Sequence, residues 1–119
     1  MADVADYRVV SDGGVNIKTG GDIDHTFNFD LGTGVKHDQH VVLQFFYVSS
    51  SNANNLSFRF SINGTEVRTI NVTGNYFATI HEVASNVTKN GANALEIRIV
   101  GGTGGVTISD IVLFVQHQV

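Results

Sequence analysis

Residues 55–72 read Asn-Leu-Ser-Phe-Arg-Phe-Ser-Ile-Asn-Gly-Thr-Glu-Val-Arg-Thr-Ile-Asn-Val. Leu56, Phe58, Phe60 and Ile62 alternate with Ser57, Arg59 and Ser61, the period of a strand with one buried and one wet face. Asn63-Gly64 follows at once, and both residue types tolerate the positive φ of a type I′ turn. That turn would set Ile62 opposite Thr65, Phe60 opposite Val67 and Phe58 opposite Thr69. Val67 then belongs to the buried face. Ile70 and Val72 fall out of phase, which predicts a bulge near Arg68–Thr69. The inference is an antiparallel hairpin.

Working outward, the same alternation recurs. Tyr7–Val10 and Val15–Lys18 are short strand candidates around Ser11-Asp12-Gly13-Gly14. His25, Phe27, Phe29 and Leu31 share one face of a further strand. Val41–Val48 is apolar on both faces apart from Gln44, as expected of a central or doubly covered strand. Tyr76–Val87 reads equally as two strands or as a strand and a helical turn. Leu95, Ile97 and Ile99 alternate, and Gly101–Gly105 reads as a flexible loop. In Val106–Gln116 the phase switches at Ser109–Asp110, which requires a bulge or bend. Eight or nine strands at this spacing predict a single-domain, all-β antiparallel sandwich or barrel.

At 119 residues the chain can build a core without staples, and it contains no cysteine, proline or tryptophan. The net charge of −4 disfavours nucleic acid as a partner. No apolar run approaches the roughly 20 residues of a membrane span. The acidic start, Met1-Ala2-Asp3-Val4-Ala5-Asp6, shows no signal peptide, although a chain whose leader had been removed would look the same. The compartment stays open.

The second half has a further rhythm. A strand ending in Tyr47–Ser51 leads to Ile62-Asn63-Gly64, then to Asn90-Gly91-Ala92-Asn93-Ala94-Leu95, a glycine loop, and Ser109-Asp110-Ile111-Val112. This resembles the galactose-binding-domain-like β-jelly roll, in particular carbohydrate-binding modules of families 6 and 35, over Val41–Phe114. The resemblance implies a jelly-roll sandwich that binds glycans without catalysis. In that family an aspartate matching Asp110 often helps hold a structural calcium ion, with acids near the N-terminus; here those are Asp3 and Asp6, and the usual Glu-x-Glu is absent. The family's sugar-stacking tryptophan is absent too, which leaves Tyr47 and Tyr76 for that role.

Saccharides are held by an aromatic face against C–H groups and by planar polar groups against hydroxyls. Loop clusters of that composition are Asp22, Asp24 and His25; Ser49–Asn55, with Ser50, Asn52 and Asn54 as candidate contacts; and Asn75 with Tyr76. The same residues also build turns. His37-Asp38-x-His40 carries metal-capable side chains but lacks the convergence of three or four ligands, and His117 has no partner in sequence. The glycines of 101–105 are not a phosphate loop, since no lysine or helix follows. The four Asn-x-Ser/Thr sequons, at Asn55, Asn63, Asn71 and Asn86, read as composition.

Two rival classes remain open. One is a self-assembling shell, fibre or virion-decoration subunit, with Val41–Val48 and Ile111–Val115 covering an interface. The other is a small hydrolase, for which Glu66, Glu82 and Glu96 are the carboxylates to consider and a cleft with paired carboxylates is the signature. Glu96 reads as the partner of Arg98. A lectin of weak single sites predicts a homo-oligomer for multivalency.

Overall fold

A computed structural model describes residues 3–36 and 40–118. Nine strands occur among them: β1 (Asp3–Ser11), β2 (Val15–Lys18), β3 (Asp24–Asp30), β4 (His40–Ser49), β5 (Asn54–Ile62), β6 (Thr65–Val72), β7 (Phe77–Ser85), β8 (Ala92–Thr103) and β9 (Gly105–Gln118). They form two antiparallel sheets, one in the order β1-β9-β4-β7 with β2 also on β9, the other β3-β8-β5-β6. This is the β-sandwich that the alternation predicts. No helix is present among these residues, so none could cross a membrane.

The alternating residues of each strand meet between the sheets. Phe45 on β4 stacks on Phe60 of β5 with ring centroids 3.9 Å apart, and Tyr47 meets Phe58 edge-on at 5.3 Å. Offset and edge-to-face pairs of this kind add to the area that the rings bury. Leu43, Leu56, Ile62, Leu95, Ile97, Ile108, Ile111 and Leu113 are among the other residues of this core.

The hairpin forms as read, with Asn63 at φ 50° and Gly64 at φ 85° and Ile62 opposite Thr65. Its bulge comes earlier than predicted. The register shifts between Phe60 and Ser61, so Phe60 faces Arg68, Phe58 faces Ile70 and Leu56 faces Val72. Val67 is the extra residue. The shift returns Ile70 and Val72 to the core and turns Arg68 toward β7, where its guanidinium donates to Glu82 at 2.8 Å. That ion pair bridges the two sheets along their β6–β7 edge.

The phase switch in the last strand falls at Asp110, whose φ is 54° beside a register shift against Gln44 and Phe46. Residues 77–85 form one strand with no helical turn. The glycine run is not a loose loop: Gly101 and Gly102 belong to β8, and only Gly104 separates it from β9. β4 is central, as its double-faced pattern suggests, although its outward residues are half-buried. Around them the outer face of the larger sheet exposes Tyr7, Val9, Phe77, Val83 and Phe114.

Candidate functional site

One end of the sandwich gathers the loops 18–23, 49–54, 72–77 and 102–105. Ser49 ties them together. Its hydroxyl donates to the Gly74 carbonyl at 2.7 Å and accepts from the Tyr76 amide at 2.9 Å. Its backbone NH donates to the Tyr76 carbonyl at 2.8 Å, and its carbonyl accepts from Asn75 Nδ2 at 2.7 Å. Ser50 holds the other side: its NH donates to the Gly105 carbonyl, and its hydroxyl accepts from the Gly105 amide and donates to Asn52 Oδ1. Thr19 and Gly104 exchange bonds in the same way.

Two hollows open on this end, either side of the β4–β5 loop. The first, about 300 Å³, is lined by Tyr47, Asn71, Val72, Thr73 and Tyr76 at the open β6–β7 edge. The Tyr76 ring is 55% exposed and lies 6.3 Å from that of Tyr47, which is 3% exposed. Burial pushes the Tyr47 phenol above its ordinary 10.0; neighbouring Tyr76 acts the same way, and Arg68 pulls it back. Tyr47 is therefore a neutral wall and Tyr76 the available ring. The second hollow, about 160 Å³, is lined by Asn16, Lys18, Thr19, Ser50, Asn52, Gly104 and Gly105.

The sequence-derived candidates divide accordingly. Tyr47 and Tyr76 meet in one hollow, with Asn75 fixing its rim, and Ser50 and Asn52 line the other. Asp22 closes the β2–β3 turn, its carbonyl accepting from the Lys18 amide at 2.7 Å. Asn54 begins β5 and stands opposite Thr103. Asp24 and His25 lie apart from the tyrosines, on β3 at the opposite edge of the smaller sheet. Asp24 pairs with Arg98 at 3.7 Å, and His25 packs edge-on against Phe27. Arg98 thus takes Asp24 as its partner, not Glu96 as the sequence suggested. Asn71 and Thr73 were not singled out as sugar contacts; their signal, polar residues where β6 runs into the Gly74-Asn75 turn, was present but diffuse.

Asp110 lies exposed at its bulge. A calcium ion takes about six to eight oxygens, and Asp110 alone does not make that shell. Among the described residues no group of three His, Asp or Glu side chains could hold a metal. His37 and Asp38, the side chain of Asp3 and that of His117 lie outside the described residues. At the far end of the sandwich, Asn63 donates to the Val87 carbonyl and to Asn93 Oδ1, so this sequon asparagine is a structural staple.

A third depression, about 390 Å³, lies away from the loops on the outer face of the smaller sheet, among Thr26, Arg59, Ser61, Gly64, Glu66, Ala94 and Glu96. It brings two carboxylates to one cleft.

No family model matches the chain, and no curated protein matches it. Solved structures do. Latent PorU from Porphyromonas gingivalis superposes with a TM-score of 0.79 at 10% identity, over 99% of this chain and 13% of that one. A β-porphyranase of glycoside hydrolase family 86 from Bacteroides plebeius gives 0.65 at 22%, over 97% and 21%. A carbohydrate-binding module of family 29 gives 0.57 at 12%, over 97% and 94%. The chain thus has the extent of a whole binding module but spans only 13% and 21% of the two larger proteins. These likenesses establish a jelly-roll β-sandwich shared with carbohydrate-binding modules.

Proposed function

We propose that the protein is a carbohydrate-binding module whose saccharide site is the Tyr47–Tyr76 hollow. The observation that carries this is Tyr76: an exposed ring, its backbone fixed by Ser49, beside a hollow with polar walls. Tyr76 stacks on the C–H face of a pyranose and Tyr47 backs it; the Asn71 side-chain carbonyl, whose NH2 donates to Asn55 and Ser57, accepts from a sugar hydroxyl, and the Thr73 hydroxyl, which accepts from the Asn55 amide, donates to one. The likeness in fold and extent to a family 29 module supports the reading. The rigid hydrogen-bonded loops support it too, since a preorganised site loses less entropy on binding.

A glycan array of labelled protein tests this. Binding to one glycan class is expected, and Tyr76→Ala should weaken it by about tenfold or more, the loss of roughly 1.4 kcal/mol or more of contact. A blank array with folded protein would remove the proposal. Multivalency through self-association extends the proposal, and the exposed apolar face of the larger sheet is the surface available for it; light scattering reports it directly.

The structural calcium ion is tested by melting. A ligand that binds only the native state must raise the midpoint. With no group of three His, Asp or Glu side chains placed to hold a metal among the described residues, we expect equal midpoints in calcium and in chelator; a calcium-dependent rise would establish the site.

Hydrolysis is a second reading with one observation behind it, the presence of Glu66 and Glu96 in the same cleft. Glu82, the remaining carboxylate of the three, is engaged by Arg68. Release of reducing ends from an array-positive glycan, abolished by Glu96→Gln, would favour that reading over simple binding.

A further inference from the structure

We infer that the free edge of the larger sheet, strand β7, pairs with β7 of a second copy of this chain, antiparallel and about a two-fold axis at His81. The inference rests on the backbone at that edge and not on the saccharide reading above.

The hydrogen bonding of β4 leaves the edge open. The Ser49 amide donates to the Tyr76 carbonyl on the β7 side, and the Ser50 amide to the Gly105 carbonyl on the β9 side. Successive residues of a strand thus aim their NH and CO groups to alternate sides. Carried along the β4–β7 register, Ala78, Ile80, Glu82 and Ala84 direct theirs to β4. Phe77, Thr79, His81, Val83 and Ser85 direct theirs away, and no strand among the described residues pairs with that side. These groups stand in line along a nine-residue strand whose register has no shift.

The other sheet edges carry features that discourage pairing. β6 has the bulge at Val67 and the charges of Glu66 and Arg68. β3 has Asp24 and Asp30. β1 has a register shift between Val9 and Ser11 and the Arg8–Asp6 ion pair, and β2 is four residues long. Bulges, charges and short strands are how exposed edges avoid one another. The open residues of β7 include no lysine, arginine or carboxylate, and Glu82, the one acid of the strand, is held by Arg68. His81 is bonded to Gln44 of the neighbouring strand, at 2.8 Å, which keeps its ring over the sheet.

A second copy fits this edge because the open residues are symmetric about His81. With His81 opposite its counterpart, Thr79 meets Val83 of the second copy and Phe77 meets Ser85, so every open residue meets an open residue. No like charges oppose one another, and β-branched pairs such as Thr79 with Val83 favour a ladder. A strand of this length runs about 30 Å, and the chain measures 21 Å across its shortest axis. The side that meets the copy is then roughly 600 Å², approaching the roughly 800 Å² per partner of a stable interface. Pairing about a two-fold axis occupies both β7 edges, so the association closes at two copies. Tyr76 adjoins β7, which sets the two loop hollows about 34 Å apart at opposite ends of the ladder. Where the saccharide reading holds, the pair links two glycan chains rather than gripping one.

Sedimentation of the whole chain from about 1 µM to 1 mM, with amide hydrogen exchange at both ends of that range, tests the inference. A monomer–dimer equilibrium is expected, with the Thr79, His81 and Val83 amides exchanging about tenfold more slowly, or slower still, in the dimer. Thr79→Pro removes an outward NH and spares the β4 ladder, as edge strands allow. His81→Lys sets two ammonium groups face to face at the axis. Each should weaken dimerisation by about tenfold or more, with an unchanged circular dichroism spectrum. Phe114→Ser, on the same sheet face but away from the edge, should leave it unchanged. A chain monomeric throughout the range would overturn the inference. So would dimers indifferent to both β7 substitutions, dimers lost in Phe114→Ser but kept in His81→Lys, or slowed exchange confined to strands other than β7. A monomer would leave the tyrosine-hollow proposal standing, and a blank glycan array would leave the dimer standing.

Discussion

Replacing Gly102 by alanine is expected to destabilise the protein by about 3–5 kcal/mol, enough to leave much of the chain unfolded at ambient temperature. Two costs add. Gly102 has φ +73°, where a side chain is strained. A Cβ there would also run into the Asn55 carbonyl and lie 2.7 Å from the Asn54 carbonyl oxygen. Those are backbone atoms of the paired strand and have no rotamer to escape into. Gly20 provides the control, with φ +78° and nothing within 4 Å of the added carbon. Gly20→Ala carries only the backbone term, about 1–2 kcal/mol. Urea titrations of both variants should therefore separate steric collision from conformational strain. Equal midpoints would show that β5 yields at Asn55 and that the close approach is soft. Because Asn54 begins β5 where the β4–β5 loop ends, a folded Gly102→Ala protein should also weaken the saccharide binding proposed for that end.

The second large effect is expected at Phe60. Its side chain is fully buried, stacks on Phe45 and meets Phe58 edge-on at 5.9 Å, so it joins the two sheets as well as a neighbour on its own strand. Phe60→Ala should cost about 3–5 kcal/mol, the sum of lost transfer energy and the cavity left between sheets that cannot close over it. That is a large share of the roughly 5–15 kcal/mol that holds a domain folded. Phe77→Ala, at a ring 67% exposed, should move stability by no more than about 0.5 kcal/mol. A comparable loss at both positions would mean that the outer face of the larger sheet is covered in solution.

The elements were legible where the sequence carries a local period. The hairpin, the Asn63-Gly64 turn and the bulge at Asp110 all follow from side-chain phase over a few residues. The bulge lies at Val67 rather than at Arg68–Thr69 because side-chain phase shows only that a residue is inserted before Ile70, and an insertion at either place returns Ile70 and Val72 to the core. Gly101–Gly105 misled for a similar reason: glycine spacing looks the same in a flexible loop and where two backbones approach closely. Of the candidate site, Tyr47, Tyr76 and Asn75 were readable as polar-aromatic residues flanking turns, while Asp24 and His25 belonged to a different edge. The sheet-face cleft was unreadable. Each strand contributes only one or two ordinary outward polar residues, and only the strand order places them side by side.

The strand order also governs when this architecture can come into being. Among the described residues, β5 and β6 are the only consecutive strands paired with each other. Every other ladder joins distant parts of the chain; β1 and β2 have β9 as their sole strand partner, and β9 also closes on β4. On a ribosome the hairpin of residues 54–72 can zip early, whereas the larger sheet has no central ladder until β9 emerges. Until then β4, apolar on both faces, waits with one edge unpaired and is the segment most exposed to misassociation. Closure of such distant contacts is slow, on the order of milliseconds to seconds. A nascent chain stalled before β9 would therefore hold a formed hairpin beside an unfinished sandwich.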